Sequence, residues 1–280
     1  MNIQITTDST CDIGELAAAR EIAVMPLCVV LGAQTYYDGV DIQPTDIFAY
    51  VDKTGELPKT AAPSICDYED FFRKFVDEGK TVVHISLSDK SSSSHAYAKE
   101  GAKAFGDRVY VVDSKALSSG QGLLALKAAD LRDAGKSAEE IVCEIQRLTP
   151  FVNTSFIPDR LDYLHKGGRC SRMMMYGANF LKIHPLIEME DGQLLAKTKY
   201  RGSMEKCIRT YLSDLKAKYP AYDKARCFVT HSHADEELVA LATAEVKSAF
   251  AFDEVIVSVA GSVITGHCGR NTLGVLFIAE

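Results

Sequence analysis

Residues 184–200 read HPLIEMEDGQLLAKTKY, two strand-like segments turned about Asp191-Gly192. An Asp-Gly pair between such runs is a strong hairpin signal, because the favoured two-residue turn needs positive φ at both central positions. A hairpin has no place in a purely parallel sheet, so the architecture changes here. Downstream, SMEKCIRTYLSDLKAKY (203–219) and ADEELVALATAEVKSAF (234–250) have amphipathic helical spacing, and RCFVTH, EVIVSVAG and TLGVLFIA are strand-like. Strands and helices in this mixture predict an α+β unit with a mostly antiparallel sheet.

The first half follows another pattern. NIQITTD (2–8), EIAVMPLCVVL (21–31), TVVHISL (81–87) and RVYVVDS (108–114) are short apolar runs. They alternate with helical segments at 63–80, 92–105 and 120–135. Ser64 is the expected N-cap of the first of these helices, and Ser137 with Glu140 forms a capping box on a further helix leading to the second half. Apolar strands separated by amphipathic helices predict a parallel sheet covered on both faces. The expectation is an α/β protein of two domains. Residues 1–150 form a parallel α/β/α sheet and 151–280 the α+β unit, with a ligand at their interface.

The chain has 280 residues, 47% of them hydrophobic and 25% charged, which is ample for buried cores. A net charge of −7 argues against a nucleic-acid partner and gives no help on an anionic membrane surface. No apolar run approaches the length of a membrane span, and MNIQITTDST shows no signal-peptide pattern. The eight cysteines are scattered with no C-x-x-C pair, the usage of reduced thiols in a cytoplasmic protein, and zinc held through cysteine is not expected.

Ligands of open parallel sheets bind beyond the carboxyl ends of the strands. TTDST (6–10), LSDKSSSS (87–94) and VVDSKALSSGQG (111–122) all fall there, and PKTAAPS brings Thr60 just before a helix. Singly these are helix caps; together they form a rim of hydroxyls suited to a carboxylate or phosphate. LDYLHKGGRCSR offers Arg169 and Arg172 after a glycine pair, and KTKYRG places Lys197, Lys199 and Arg201 at a strand end. In SVAGSVITGHCGRNTLGVLF (258–277), His267 lies between two glycines where one apolar run ends and another begins. That spacing predicts a glycine-rich turn, either a plain solvated one or the rim of a pocket.

The blocks TDSTCDI, PLCVVLGAQTYYDGVDI, PKTAAPS, ISLSDKSSSS, VVDSKALSSGQG, LDYLHKGGRCS, IHPLIEMEDGQLLAKTKYRG and GSVITGHCGRNTLG resemble, in that order, those of the bacterial DegV family. The resemblance covers essentially the whole chain. It implies a fatty-acid-binding protein whose two domains enclose the acyl chain in a tunnel, with the carboxylate at the interface. It also implies a carrier role without catalysis of its own and without a cofactor, in which a separate fatty acid kinase phosphorylates the bound lipid. By position, Thr60, Ser92 and His267 would hold the carboxylate, with Arg169 nearby. Arg201, with Arg172 and His267, would present positive charge at the pocket mouth to the kinase. Three departures stand out. Ser92-Ser93-Ser94 replaces the usual Ser-Gly-Thr, Ala61-Ala62 replaces Ser-Gln, and Arg270-Asn271 replaces Pro-Gly.

Two hydrolase readings compete. His231 and His233, two apart at a strand end, have a spacing used by metal sites, with His84 and Asp235 as further ligands. Ser92, His267 and Asp8 or Asp113 supply the side chains of a serine hydrolase, although no G-x-S-x-G elbow is present. GQGLLALKAAD lacks the glycine triplet of a dinucleotide site.

Overall fold

In the computed structural model, which describes residues 2–169 and 183–280, one buried helix separates two sheets. The chain begins with β1 (Ile3–Asp8), α1 (Leu16–Ala19), β2 (Ala23–Met25), β3 (Cys28–Leu31), β4 (Gln34–Tyr37), α2 (Pro44–Thr54) and β5 (Lys59–Ala61). Next come α3 (Ile65–Asp77), β6 (Thr81–Ser86), α4 (Ser94–Ala102), β7 (Val109–Asp113), α5 (Ser119–Asp133) and α6 (Ala138–Leu148). Beyond them lie β8 (Val152–Asn153), β9 (Ser155–Ile157), α7 (Asp162–Lys166), β10 (Ile183–Glu190), β11 (Gln193–Arg201) and α8 (Met204–Lys218). The chain ends with β12 (Arg226–Ser232), α9 (Glu236–Ala249), β13 (Glu254–Val259), α10 (Ser262–Cys268) and β14 (Thr272–Ile278).

The first sheet is parallel throughout, in the order β2-β1-β6-β7. Its strands alternate between two apolar layers, as the two-residue period requires. Val82 packs with Tyr68, Phe72 and Ala98 of α3 and α4, whereas Val83 and Ile85 pack with Leu124, Ile141 and Ile145 of α5 and α6. Both capping boxes form: Ser64 with Asp67 at α3, and Ser137 with Glu140 at α6. The second sheet runs β11-β10-β9-β14-β12-β13, with β8 paired to β14; only β12 and β13 are parallel. Its outer face packs on α8 and α9 through Ile208, Tyr211, Val229 and Phe277.

The run EIAVMPLCVVL is not one strand. It breaks at Pro26, which has no N–H to give a ladder. β2 stays beside β1, while β3 joins a separate antiparallel sheet in the order β4-β3-β5. That small sheet was not legible in the sequence, and it carries Thr60 on β5 opposite Val29.

Helix α5 lies between the two large sheets. Leu124, Leu126 and Ala128 share one apolar cluster with Ile5 and Ile85 of the first sheet and with Phe228 and Leu276 of the second. Gly120 and Gly122 are about 200° apart around the helix and serve opposite neighbours. A Cβ on Gly120 would lie 2.1 Å from Thr154 Oγ1, and one on Gly122 would lie 2.2 Å from Ile13 Cγ2 and 2.5 Å from the Cys11 carbonyl oxygen. Between them the buried Gln121 donates to Thr7 Oγ1 (2.9 Å) and Ile85 O (3.1 Å) and accepts from Thr10 Oγ1 (2.9 Å). The glycine pair is therefore a packing device.

The 184–200 hairpin forms as expected, with positive φ at Asp191 (45°) and Gly192 (80°). Its tip reaches the first half. Ser88 Oγ donates to Gly192 O at 2.8 Å, and Lys115 pairs with Asp191 at 2.6 Å.

Gly122→Ala forces a methyl against the backbone of Cys11, which cannot swing aside as a side-chain tip would. Urea denaturation is expected to show a loss of about 1–3 kcal/mol despite the better helix propensity of alanine. A variant as stable as wild type would remove the close-approach argument.

Candidate functional site

The cavity at the junction draws its walls from both halves. Thr60, Ser91, Ser92 and Leu117 come from the first half; Leu164, Arg169, Leu194 and His267 from the second. Thr60 is held by the pairing of β5 with β3. Ser92 lies in the turn after β6, where its backbone N–H and that of Ser91 both donate to Ser88 O. Ser93 has φ −73°, an ordinary right-handed value, so the serine that replaces the family glycine carries no backbone strain.

His267 is not in a glycine-rich turn. It occupies the last turn of α10, and the flanking glycines have packing roles. A Cβ on Gly266 would meet Pro58 Cγ at 2.8 Å, and Gly269 closes the helix at φ +75°. The sequence missed this helix because Val263, Ile264 and Thr265 are β-branched and read as strand. The imidazole Nε2 is 2.9 Å from Thr60 Oγ1. Nδ1 is buried without a hydrogen-bond partner, and a Cβ on Gly167 would lie 2.5 Å from it. Burial, reinforced by the nearby Arg169 cation, lowers the His267 pKa from 6.5 to about 4, so the ring is neutral near pH 7. Buried N–H groups are rarely left orphaned. The favoured tautomer therefore puts the proton on Nε2, which donates to Thr60 Oγ1 and leaves the threonine O–H to point elsewhere.

Ser92 Oγ is 2.9 Å from Ser94 Oγ and also accepts from Ser94 N at 3.2 Å. With Ser94 donating to it, the Ser92 hydroxyl proton is likewise available to the cavity. Arg169 Nη1 donates to Gly167 O at 2.7 Å. The cavity thus offers neutral O–H donors and one guanidinium, an arrangement that fits an anionic head group.

Past Leu117, Ile264 and Cys268, which line both spaces, lies a second, narrow chamber bounded by Phe156 and Leu276. Several hydroxyls border it; most are bonded within the protein, whereas Thr154 Oγ1 is buried without a hydrogen-bond partner. Ser118 donates to Asp12, Thr272 to Cys268 O and Ser232 to Thr265, while Thr230 pairs with Ser119. Apart from Thr154 and His231, what remains facing the chamber is apolar. Burial pushes the Cys268 thiol up to about 12, so it is an uncharged part of the wall.

The predicted residues divide. Thr60, Ser92, His267 and Arg169 line one cavity. Arg172 lies outside the described residues. Arg201 is exposed at the end of β11, seven residues from Leu194; a strand rise of about 3.3 Å per residue puts it about 23 Å along the strand from that lining residue. It is not among the residues that line the cavity, and Lys197 in the same basic run is paired with Glu190. The hydrolase constellations are not assembled. His267 Nε2 faces Thr60 instead of Ser92. His231 Nδ1 accepts from Ala234 N, while His233 packs edge-on against Phe48. Among the described residues no group of three or more His, Cys, Asp or Glu is placed to hold a metal, and no helix is long and apolar enough to cross a membrane. Arg270 stacks over Phe48 and pairs with Asp52, and Asn271 takes the left-handed conformation (φ 56°).

Residues 2–280 match the family model described as "Uncharacterised protein, DegV family". A DegV domain-containing protein of Clostridium acetobutylicum is 33% identical over 99% of both chains. The "Fatty acid-binding protein" of Thermotoga maritima is 30% identical over 98% of this chain and 96% of its own. A solved DegV family structure from Thermus thermophilus, described for its fatty acid binding, superposes with a TM-score of 0.93 at 31% identity over the whole of both chains.

The depressed His267 pKa gives a signed pH prediction. Between about 4 and 6.5 the unfolded chain binds the proton that the folded ring refuses, so stability falls as pH falls through that window. Denaturant titrations at pH 7 and pH 4.5 are expected to show His267→Gln losing less stability on acidification than wild type, by up to about 3 kcal/mol. Equal losses would mean that the ring is not held neutral by burial.

Proposed function

The chain belongs to the DegV family, and from that premise we propose that it binds one long-chain fatty acid between two units, residues 1–150 and 151–280. The carboxylate lies among Thr60, Ser92 and Arg169, and the tail runs past Ile264 and Cys268 into the apolar chamber. The observation that carries this reading is a pair of adjacent spaces that share Leu117, Ile264 and Cys268 as walls, one polar-rimmed and the other largely apolar. His267 acts through Thr60: its Nε2–H directs the threonine proton toward the head group. A buried carboxylate without donors would cost several kcal/mol, which two hydroxyls and a guanidinium offset. About fourteen buried methylenes contribute on the order of 10 kcal/mol before association costs, so the tail supplies affinity and the head group orientation.

The role that follows is a carrier, with a separate kinase phosphorylating the bound acid. Support comes from the resemblance in the sequence and from a site that offers donors without an assembled nucleophile. Arg201, exposed on β11 at a distance from the cavity, is then a docking contact for the kinase.

Extraction and native mass spectrometry of the purified protein are expected to find one fatty acid per chain. Thr60→Ala or Ser92→Ala should weaken binding by about 1–3 kcal/mol. A protein that ignores added fatty acid would overturn the binding reading. For the carrier role, acyl phosphate formation is measured with a bacterial fatty acid kinase and ATP. Arg201→Ala is expected to keep lipid binding and to slow phosphorylation. Enzyme-like hydrolysis of fatty acyl or aryl esters by the chain alone would instead support a hydrolase.

A further inference from the structure

Two acidic residues of the first half, Asp12 in TDSTCDI and Asp38 in TYYDGVDI, have no part in the head-group contacts, yet both are almost wholly buried. They meet at the start of α10, the helix that carries His267 in its last turn. Its N-cap residue is Gly261, which has no side chain to satisfy the free N–H groups of the first turn. The acids do so instead. Gly261 N–H donates to Asp12 Oδ1 at 2.8 Å and Ser262 N–H to Asp38 Oδ1 at 2.7 Å. The φ of −66° at Gly261 is open to any residue, so glycine is there for space. A Cβ would lie 3.2 Å from Asp12 Oδ1 and from both carboxylate oxygens of Asp38.

The remaining bonds of the two acids run to both chambers. Asp12 Oδ2 accepts from Ser118 Oγ at 2.5 Å, and Ser118 borders the apolar chamber. Asp38 Oδ2 accepts from Ser9 Oγ at 2.9 Å, whose oxygen in turn accepts from the N–H of Leu27, a wall of the head-group cavity. At its other end α10 is tied to the first half through His267 and Thr60.

We propose that Asp12 and Asp38 are positioning residues: they form, from the opposite half of the chain, the N-cap of the helix that carries His267, and so determine how long a bound lipid is retained. This rests on the lipid-binding reading above. It also makes a claim about α10 that holds with or without lipid. Negative or hydrogen-bond-accepting groups at a helix start stabilise it through the exposed N–H groups and the aligned peptide dipoles. Without them the helix start keeps the Ser262 hydroxyl on Ile42 O, the upstream Ser258 hydroxyl on Asp12 O and the apolar packing of Val263 and Ile264 with Leu27 and Ile47, none of which satisfies its free N–H groups.

The test uses the full chain at pH 7 with Asp12→Asn, Asp12→Ala, Asp38→Asn, Asp38→Ala and Gly261→Ala, and with Leu215→Ala as a destabilised control. Leu215 is buried against the far face of the second sheet, away from both chambers. Release of preloaded cis-parinaric acid is followed on chasing with excess oleic acid, and backbone hydrogen exchange is followed for residues 261–268. The alanine variants at Asp12 and Asp38 are expected to release the probe about tenfold faster and to lose protection in that segment. The asparagine variants, which keep an acceptor oxygen, are expected to stay near wild type on both measures. Gly261→Ala, which keeps both acids but crowds them, should move in the alanine direction and serves if the others fail to fold. Release and exchange unchanged in the alanine variants, or matched by Leu215→Ala, would overturn the proposal. If wild type binds no probe, the lipid reading falls and the exchange measurement still decides the cap.

Discussion

The fold depends on a helix that must be thin on two sides at once. At its N-terminal end α5 packs between the two large sheets, met at Gly120 by Thr154, between β8 and β9, and at Gly122 by Cys11 and Ile13 in the segment after β1. A helix buried all round has no solvent face on which to place a polar residue, yet Gln121 sits between the two glycines. It is tolerated because its amide is fully bonded to Thr7, Thr10 and Ile85. Those bonds tie the end of β1 and the end of β6 to the start of α5. The region where chain ends of the parallel sheet would otherwise splay is thereby fixed, and the cavity sits just beyond it.

Joining the halves at α5 leaves the opposite side of the junction to smaller contacts, and these surround the cavity. The hairpin tip reaches across to Ser88 and Lys115, α10 is held at both ends by residues of the first half, and the β3–β5 sheet brings Thr60 against His267. A large apolar contact on one side with a set of directional polar contacts on the other makes a hinge-like division of labour. The apolar side is insensitive to small displacements, whereas hydrogen bonds weaken steeply once alignment is lost.

The sequence made the two-part architecture legible because its signals are local. Asp191-Gly192 needs positive φ, Ser64 and Ser137 cap helices three residues before an acid, and the βα alternation follows periodicity. The site was legible only as a set of residues. Thr60, Ser92, His267 and Arg169 do converge, but the helical setting of His267 was not readable, since the seven residues of α10 include three β-branched positions and a glycine. What makes them helical is the pair of acids more than two hundred residues earlier, and no local pattern reports that. For Arg201, a strand end names a residue's neighbours along the chain but not which way the strand runs from the cavity.

The electrostatics of the cavity follow from the same long-range contacts. A charged imidazole beside a carboxylate would bind it more strongly than a neutral one, but burial against Gly167 and proximity to Arg169 hold His267 neutral. Strength is thereby surrendered at the head group and direction retained, because a neutral Nε2–H still orients the Thr60 hydroxyl. In a site whose apolar chamber can supply most of the binding energy, strong ionic capture of the carboxylate would only slow its departure. On the proposed reading, a head group held by two hydroxyls and one exposed arginine would stay within reach of a second protein, which is what a carrier requires.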